Sequence, residues 1–247
     1  MASPSVLVDI SRVAGLDGIA VAENHLIIGA LTRHRTVERS SEVAQHVPLL
    51  SQAMPFVAHP AVRNRGTFGG SLAFADPAAE LPACCVALDA QLVLVSRCGE
   101  RRVPARQFFK GLYETVLRPD ELLARAEIPL RKSGHRSVFL ELARRRGDYA
   151  IAGIAAHGAY AQGRFTGVSA VFLGVADRPV PTPTLSFLLE GKAHSAELAR
   201  GIAAAVSRDV AAQRDLYHDA AVKQHLARVL AARAVAKLAE HPECQGN

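Results

Sequence analysis

The sequence predicts an α+β protein with grouped strands and segregated helices, and three observations lead there. Short apolar runs of strand length recur through the first half, two long small-residue strands at 151–160 and 165–175 flank a Gln162-Gly163 turn, and the last third is Ala-rich with helical spacing. A strict βαβ alternation, which would mark a parallel sheet, is not seen.

Taken in order, Val6 to Ile10 is apolar and predicts an opening strand; Ile19–Val21 and Leu26–Gly29 flank Glu23-Asn24-His25 and predict a hairpin. Thr36 and Ser41 are candidate helix caps, and 48–56 has the apolar spacing of a short helix that His59-Pro60 ends. A glycine-dense loop, 63–71, precedes a helical run from Ala78 to Ala87, with Pro77 in its first turn and Glu80 near its positive end. Strands follow at 91–95, 121–129 and 139–142. Helices follow at 194–212 and after Asp219, where Val222, Leu226, Val229, Leu230, Ala234 and Leu238 share one face. The domain boundary is expected between Pro129 and Ser137.

Composition narrows the function. With 247 residues, 49% of them hydrophobic, the chain has enough apolar surface for one or two cores. No window approaches the roughly 18–20 uninterrupted apolar residues of a membrane-spanning helix, so no membrane span is expected. The first residues lack the pattern of a secretory signal, which predicts a cytoplasmic protein. The net charge of +6 is scattered rather than striped, and aromatics are 5% with no Trp for base stacking, so no nucleic-acid partner is expected. The four cysteines show no Cys-x-x-Cys pair, and the ten histidines no His-Glu-x-x-His, so no metal is expected in this chain. Adjacent Cys84 and Cys85 fit buried free thiols. No Gly-x-Ser-x-Gly elbow is present.

The chemistry-bearing candidate is Gly66 with Gly69-Gly70. Glycines let main chain approach a ligand closely, and successive N–H groups in such a loop make a concavity suited to a pyrophosphate. Two adjacent glycines alone are more often an ordinary turn, and neither a Rossmann nor a P-loop fingerprint is present.

The longer string RNRGTFGGSLAFADPAAELP at 63–82 resembles the FAD-pyrophosphate loop of the medium, flavoprotein subunit of molybdenum hydroxylases, the family of carbon-monoxide and xanthine dehydrogenase FAD subunits. The likeness extends through IGALTRHRTVE (28–38), HPAVRNRGT (59–67), ELLARAEIPL (121–130), FLELARRRGDYAIAGIAA (139–156) and QHLARVLAARAV (224–235). It implies an FAD-binding domain of the vanillyl-alcohol-oxidase type at 1–132 and a smaller C-terminal α+β domain at 133–247. It also implies that Thr67, Phe68, Gly69, Gly70 and Ser71 cradle the FAD diphosphate, with Ser71 where the family has Asn or Asp. Glu80, with Asp76 close by, matches the acidic residue facing the cofactor's sugar hydroxyls. Ala124 and Tyr149 match positions at the flavin ring. Glu141 stands where relatives often carry a Lys, which should disfavour an anionic reduced flavin.

The resemblance implies an electron-relay role: an iron–sulfur subunit with [2Fe-2S] clusters feeds FAD here, and a large molybdenum-cofactor subunit oxidises the substrate, in a heterotrimer or a dimer of heterotrimers. Family members begin with a further segment carrying another Gly-rich loop, of the Ala-Gly-Gly-x-Ser kind, and this sequence starts at the strand after it. A short start-site assignment, a truncation or a natural variant would each explain that. The competing readings are a scaffold that keeps the fold without stable FAD, and a stand-alone flavin oxidase, for which no acid–base residues are visible.

Overall fold

The computed structural model describes residues 5–240. In chain order, the hairpin β1 (Ile19–Ala22) and β2 (His25–Gly29) leads into short helices α1 (His34–Arg39), α2 (Ser41–His46), α3 (Pro48–Ala53), α4 (Pro60–Arg63), α5 (Phe68–Phe74) and α6 (Glu80–Ala87). Next come β3 (Gln91–Ser96), β4 (Gly99–Pro104), α7 (Ala105–Phe108), the small hairpin β5 (Phe109–Gly111) and β6 (Glu114–Thr115), and β7 (Leu122–Pro129). The remainder is β8 (His135–Leu142), β9 (Ala152–Ala161), β10 (Arg164–Leu173), β11 (Val180–Pro181), α8 (Pro183–Leu189), α9 (Ala196–Asp209) and α10 (Ala220–Ala239).

Two larger sheets organise these elements, in the antiparallel orders β1-β2-β7-β3-β4 and β11-β10-β9-β8. β2 and β7 alternate Leu26, Ile28 and Ala126, Ile128 into a core closed by Leu49, Leu50, Phe68, Leu72 and Leu81 from the helices. In the second sheet alternation separates two cores. Phe139, Ala155 and Val171 lie abreast on β8, β9 and β10 and join the first core, whereas Val138, Ala156 and Ala170 face α8, α9 and α10.

Several expectations change. Val6 to Ile10 forms no strand; Val6, Leu7 and Val8 are exposed, because no neighbouring strand takes up their backbone groups. Ser40, not Ser41, caps α2 by accepting from Val43 N–H, and Thr36 lies inside α1. α3 ends at Ala53, and Pro60 opens α4 as its first residue instead of ending a helix. α6 starts at Glu80, and Pro77 stays outside it because its carbonyl accepts from Gly174 N–H. In α10 the buried row runs through Lys223, Ala227, Leu230, Ala234 and Leu238, so Val222 faces outward. Asp219 holds the N-cap position without a side-chain hydrogen bond.

That row places a lysine in the second core. Lys223 Nζ donates to the Gly174 carbonyl at 2.7 Å and meets Asp215 at 2.6 Å. Gly174 sits at φ +75, where an added Cβ would lie 2.8 Å from the Ala150 carbonyl oxygen. Its N–H is the donor that fixes Pro77, three residues before α6. Lys223→Met, which keeps the apolar stem and strands the Gly174 carbonyl and Asp215, should cost about 2–4 kcal/mol, read from a thermal melt.

Candidate functional site

Thr67 has extended backbone (φ −120, ψ 152), and its hydroxyl oxygen accepts from Gly70 N–H at 3.1 Å, so the 63–71 stretch is a capped helix start and not an open loop. Its glycines lie outside the left-handed region. The amides expected to face a pyrophosphate are largely paired within the fold. Phe68 N–H donates to the Thr32 carbonyl (2.8 Å), Gly69 N–H to the Ala30 carbonyl (2.8 Å) and Ser71 N–H to the Thr67 carbonyl (3.1 Å). Ala30 N–H in turn donates to the Ala124 carbonyl, which ties α5 through one residue to the central strand β7.

The two glycines therefore have different causes. A Cβ on buried Gly69 would fall 2.3 Å from Ala30 Cβ and 2.6 Å from its Cα, so Gly69 is required by packing. A Cβ on exposed Gly70 would meet only the Thr67 hydroxyl, at 2.6 Å. The outer surface of α5's first turn is thus bare at Gly70 and edged by two hydroxyls. Thr67 Oγ1 accepts from Gly70 and keeps its own proton to donate, and half-buried Ser71 has no side-chain partner among the described residues. Behind Thr67, His34 Nε2 donates to its carbonyl at 2.8 Å, and burial holds that imidazole below its ordinary pKa and hence neutral.

Beyond α5 the chain turns at Ala75 (φ +53) and Asp76, whose carboxylate accepts from Ala78 N–H at 2.9 Å. Glu80 opens α6, buried. Burial, with the Asp76 carboxylate nearby, pushes the Glu80 carboxyl up to about 7, against the opposing pull of Arg63. Glu141, from β8, is pushed up to about 8 by burial and by Glu80, and its Oε2 is buried with no hydrogen-bond partner. Burial raises the pKa of the fully buried Cys84 thiol, and Cys85 and both carboxyls add to the rise.

The pair gives a pH signature. Each folded carboxyl titrates above its unfolded value, so between about pH 4.5 and about 8 the folded state binds more protons and stability falls as pH rises. Glu141→Gln, neutral at all these pH values, should flatten the fall in melting temperature across that window and raise stability at its upper end; an unchanged profile would show the carboxyl to be ionised and solvated.

Tyr149 follows Arg144, Arg145 and Arg146, all exposed, and is itself 73% exposed. It shares an electrostatic neighbourhood with Tyr113 and Asp76, and Tyr113 packs on Phe74 with ring centroids 4.9 Å apart. Phe74 and Tyr113 are both more than half exposed. The exposed rings of Phe74, Tyr113 and Tyr149 thus make an aromatic face beside Asp76, which is itself buried. Ala124 is buried on β7, and its carbonyl accepts from Ala30 N–H. Phe74 and Tyr113 are absent from the sequence reading. Tyr113 sits at φ +55 at the tip of the β5–β6 hairpin, and an aromatic in a turn beside Gly111 is the signal that could have found it.

A family model described as FAD binding domain in molybdopterin dehydrogenase matches residues 1–131, and one described as CO dehydrogenase flavoprotein C-terminal domain matches residues 137–238. The chain belongs to this flavoprotein-subunit family. Its relatives include the nicotine 6-hydroxylase medium subunit of Paenarthrobacter nicotinovorans, 32% identical over 95% of this chain and 82% of that protein. The 6-hydroxypseudooxynicotine dehydrogenase complex subunit alpha of the same organism is 45% identical over 63% of this chain, a match spanning about half (52%) of that protein's length. Among solved structures, carbon monoxide dehydrogenase from Hydrogenophaga pseudoflava superposes with a TM-score of 0.92 at 33% identity, covering 95% of this chain and 82% of that one. The family's FAD-binding domain thus coincides with the part of the chain that carries α5 and α6. The residues present suit that cofactor: a bare helix start edged by two hydroxyl donors, and an unpartnered buried Glu141 Oε2. Among the described residues no helix is long and apolar enough to cross a membrane, and no His, Cys, Asp or Glu cluster converges to hold a metal ion.

Proposed function

We propose that this chain is the cytoplasmic electron-relay subunit of a molybdenum hydroxylase. The observation carrying that reading is the polar, aromatic-faced junction of α5 and α6, inside a chain that matches the FAD-domain model. Thr67 and Ser71 donate their hydroxyl protons to the diphosphate. Phe68 and Gly69 hold the helix start in place through their bonds to Thr32 and Ala30, and Gly70 leaves the approach clear. Asp76 and Glu80 face the sugar hydroxyls; Glu80, near half-protonated at neutral pH, can donate as well as accept. Tyr149, Glu141 and Ala124 surround the ring, and protonated Glu141 offers a hydrogen-bond donor there without adding negative charge.

Bound FAD supplies the capacity to take up electrons and hand them to an external acceptor, while the protein binds and orients it. The electrons come from a separate iron–sulfur subunit with [2Fe-2S] clusters, a reading supported by the chain's match to the FAD-domain model and to a medium subunit. A large molybdenum-cofactor subunit completes a heterotrimer or a dimer of heterotrimers. Native mass spectrometry of protein from its own host should show this chain with those two partners. A lone monomer or homo-oligomer oxidising an organic substrate unaided would overturn the relay reading.

A further inference from the structure

A cavity of about 580 Å³ opens at the other end of α6, between the two sheets. That is within the usual size range of small-molecule sites. It is separate from the α5–α6 junction described above: Val86, Ala87 and Leu88, which line it, lie six to eight residues, about 9–12 Å, along the chain from Glu80 at the start of α6.

One wall is apolar, built from Val86, Leu88, Leu130 and Val171. The other is polar in a way the sheet pattern does not demand. The β8–β9–β10 face that packs on the first core is Phe139, Ala155, Val171 in one row; the next row on the same face is Ser137, His157, Ser169, abreast on the same three strands. All three line the cavity. β10 carries an irregularity between Thr166 and Ser169, with Gly167 at φ +58, at this same lip, and such bulges re-aim side chains beside binding sites. His157 Nε2 donates to the Ala87 carbonyl at 2.7 Å, which fixes the tautomer and leaves Nδ1 as an acceptor, and the His135 ring lies 5.9 Å away. Burial keeps both imidazoles below their ordinary pKa, and Lys132 adds to this, which places its ammonium near the pair.

The charge around the cavity is one-sided. Its lone lining carboxylate, Asp89, is taken up by an ion pair with Arg106, whereas Arg131 and Lys132 have no ion-pair partner among the described residues. We propose that this inter-sheet cavity is a binding site for a small organic acid, its apolar body against Val86, Leu88, Leu130 and Val171 and its carboxylate toward Arg131, Lys132 and the Ser137–His157–Ser169 row. A ligand held there touches both domains, so it tightens the junction between them.

The test is a titration of the full chain with a panel of aromatic and aliphatic monocarboxylates, benzoate among them, each beside its neutral carboxamide. The readout is the imidazole NMR signals of His135 and His157. At least one carboxylate should saturate those signals and bind about tenfold or more tightly than its amide, and Arg131→Gln with Lys132→Gln should erase that preference. Both substituted side chains are exposed, so the fold should be kept. If no carboxylate saturates the signals, if amides bind equally well, or if the double variant keeps the preference, the proposal fails.

Discussion

Gly69→Ala should be among the most damaging single-methyl additions to this chain, lowering stability by about 3 kcal/mol. The new Cβ would sit 2.3 Å from Ala30 Cβ and 2.6 Å from Ala30 Cα. No side-chain rotation relieves a clash with a Cα and its first carbon, so backbone must move. The backbone involved is the junction that carries Gly69 N–H to the Ala30 carbonyl and Ala30 N–H to β7. For a chain of this size the melting temperature should drop by roughly 6–12 °C. Gly70→Ala is the control, since its Cβ meets only a rotatable hydroxyl and costs about the Thr67 cap, near 1 kcal/mol. Circular-dichroism melts of the two variants check this, and equal effects would show that Gly69 is not set by packing.

The same pair of residues shows how far the sequence could be followed. The β1–β2 and β9–β10 hairpins are legible because alternation and turn residues are local signals, as at Gln162-Gly163. The α+β class follows from the same kind of pattern. Strand formation at Val6 to Ile10 depends on a partner strand, which no local pattern reports. The buried face of α10 includes Lys223, whose burial depends on Gly174, 49 residues away; a polar residue satisfied at long range is invisible to a hydrophobic pattern.

At the candidate site, Thr67 to Ser71, Asp76 and Glu80 stand out because glycine and acidic residues cluster in one short stretch. Their division of labour is not legible. Gly69 serves Ala30, the amides are paired internally, and the influence of Glu80 on Glu141 exists only once the second sheet packs on α6. Phe74 and Tyr113 meet across 39 positions, so neither residue alone announced the aromatic face.

Gly70→Val carries the other large effect, and it falls on the cofactor instead of the fold. The valine Cβ would displace the Thr67 hydroxyl from 2.6 Å, and its two methyls would cover the bare surface between Thr67 and Ser71. Loss of the cap together with the lower helix propensity of a β-branched residue should cost about 1–2 kcal/mol, which a folded domain survives. Visible absorbance of the protein purified from its own host, parent beside Gly70→Val, decides whether the start of α5 holds the flavin. The parent should show the absorption bands of an oxidised flavin, and the variant should keep the parent's circular dichroism and none of its flavin. A folded variant holding as much flavin as the parent would contradict that placement.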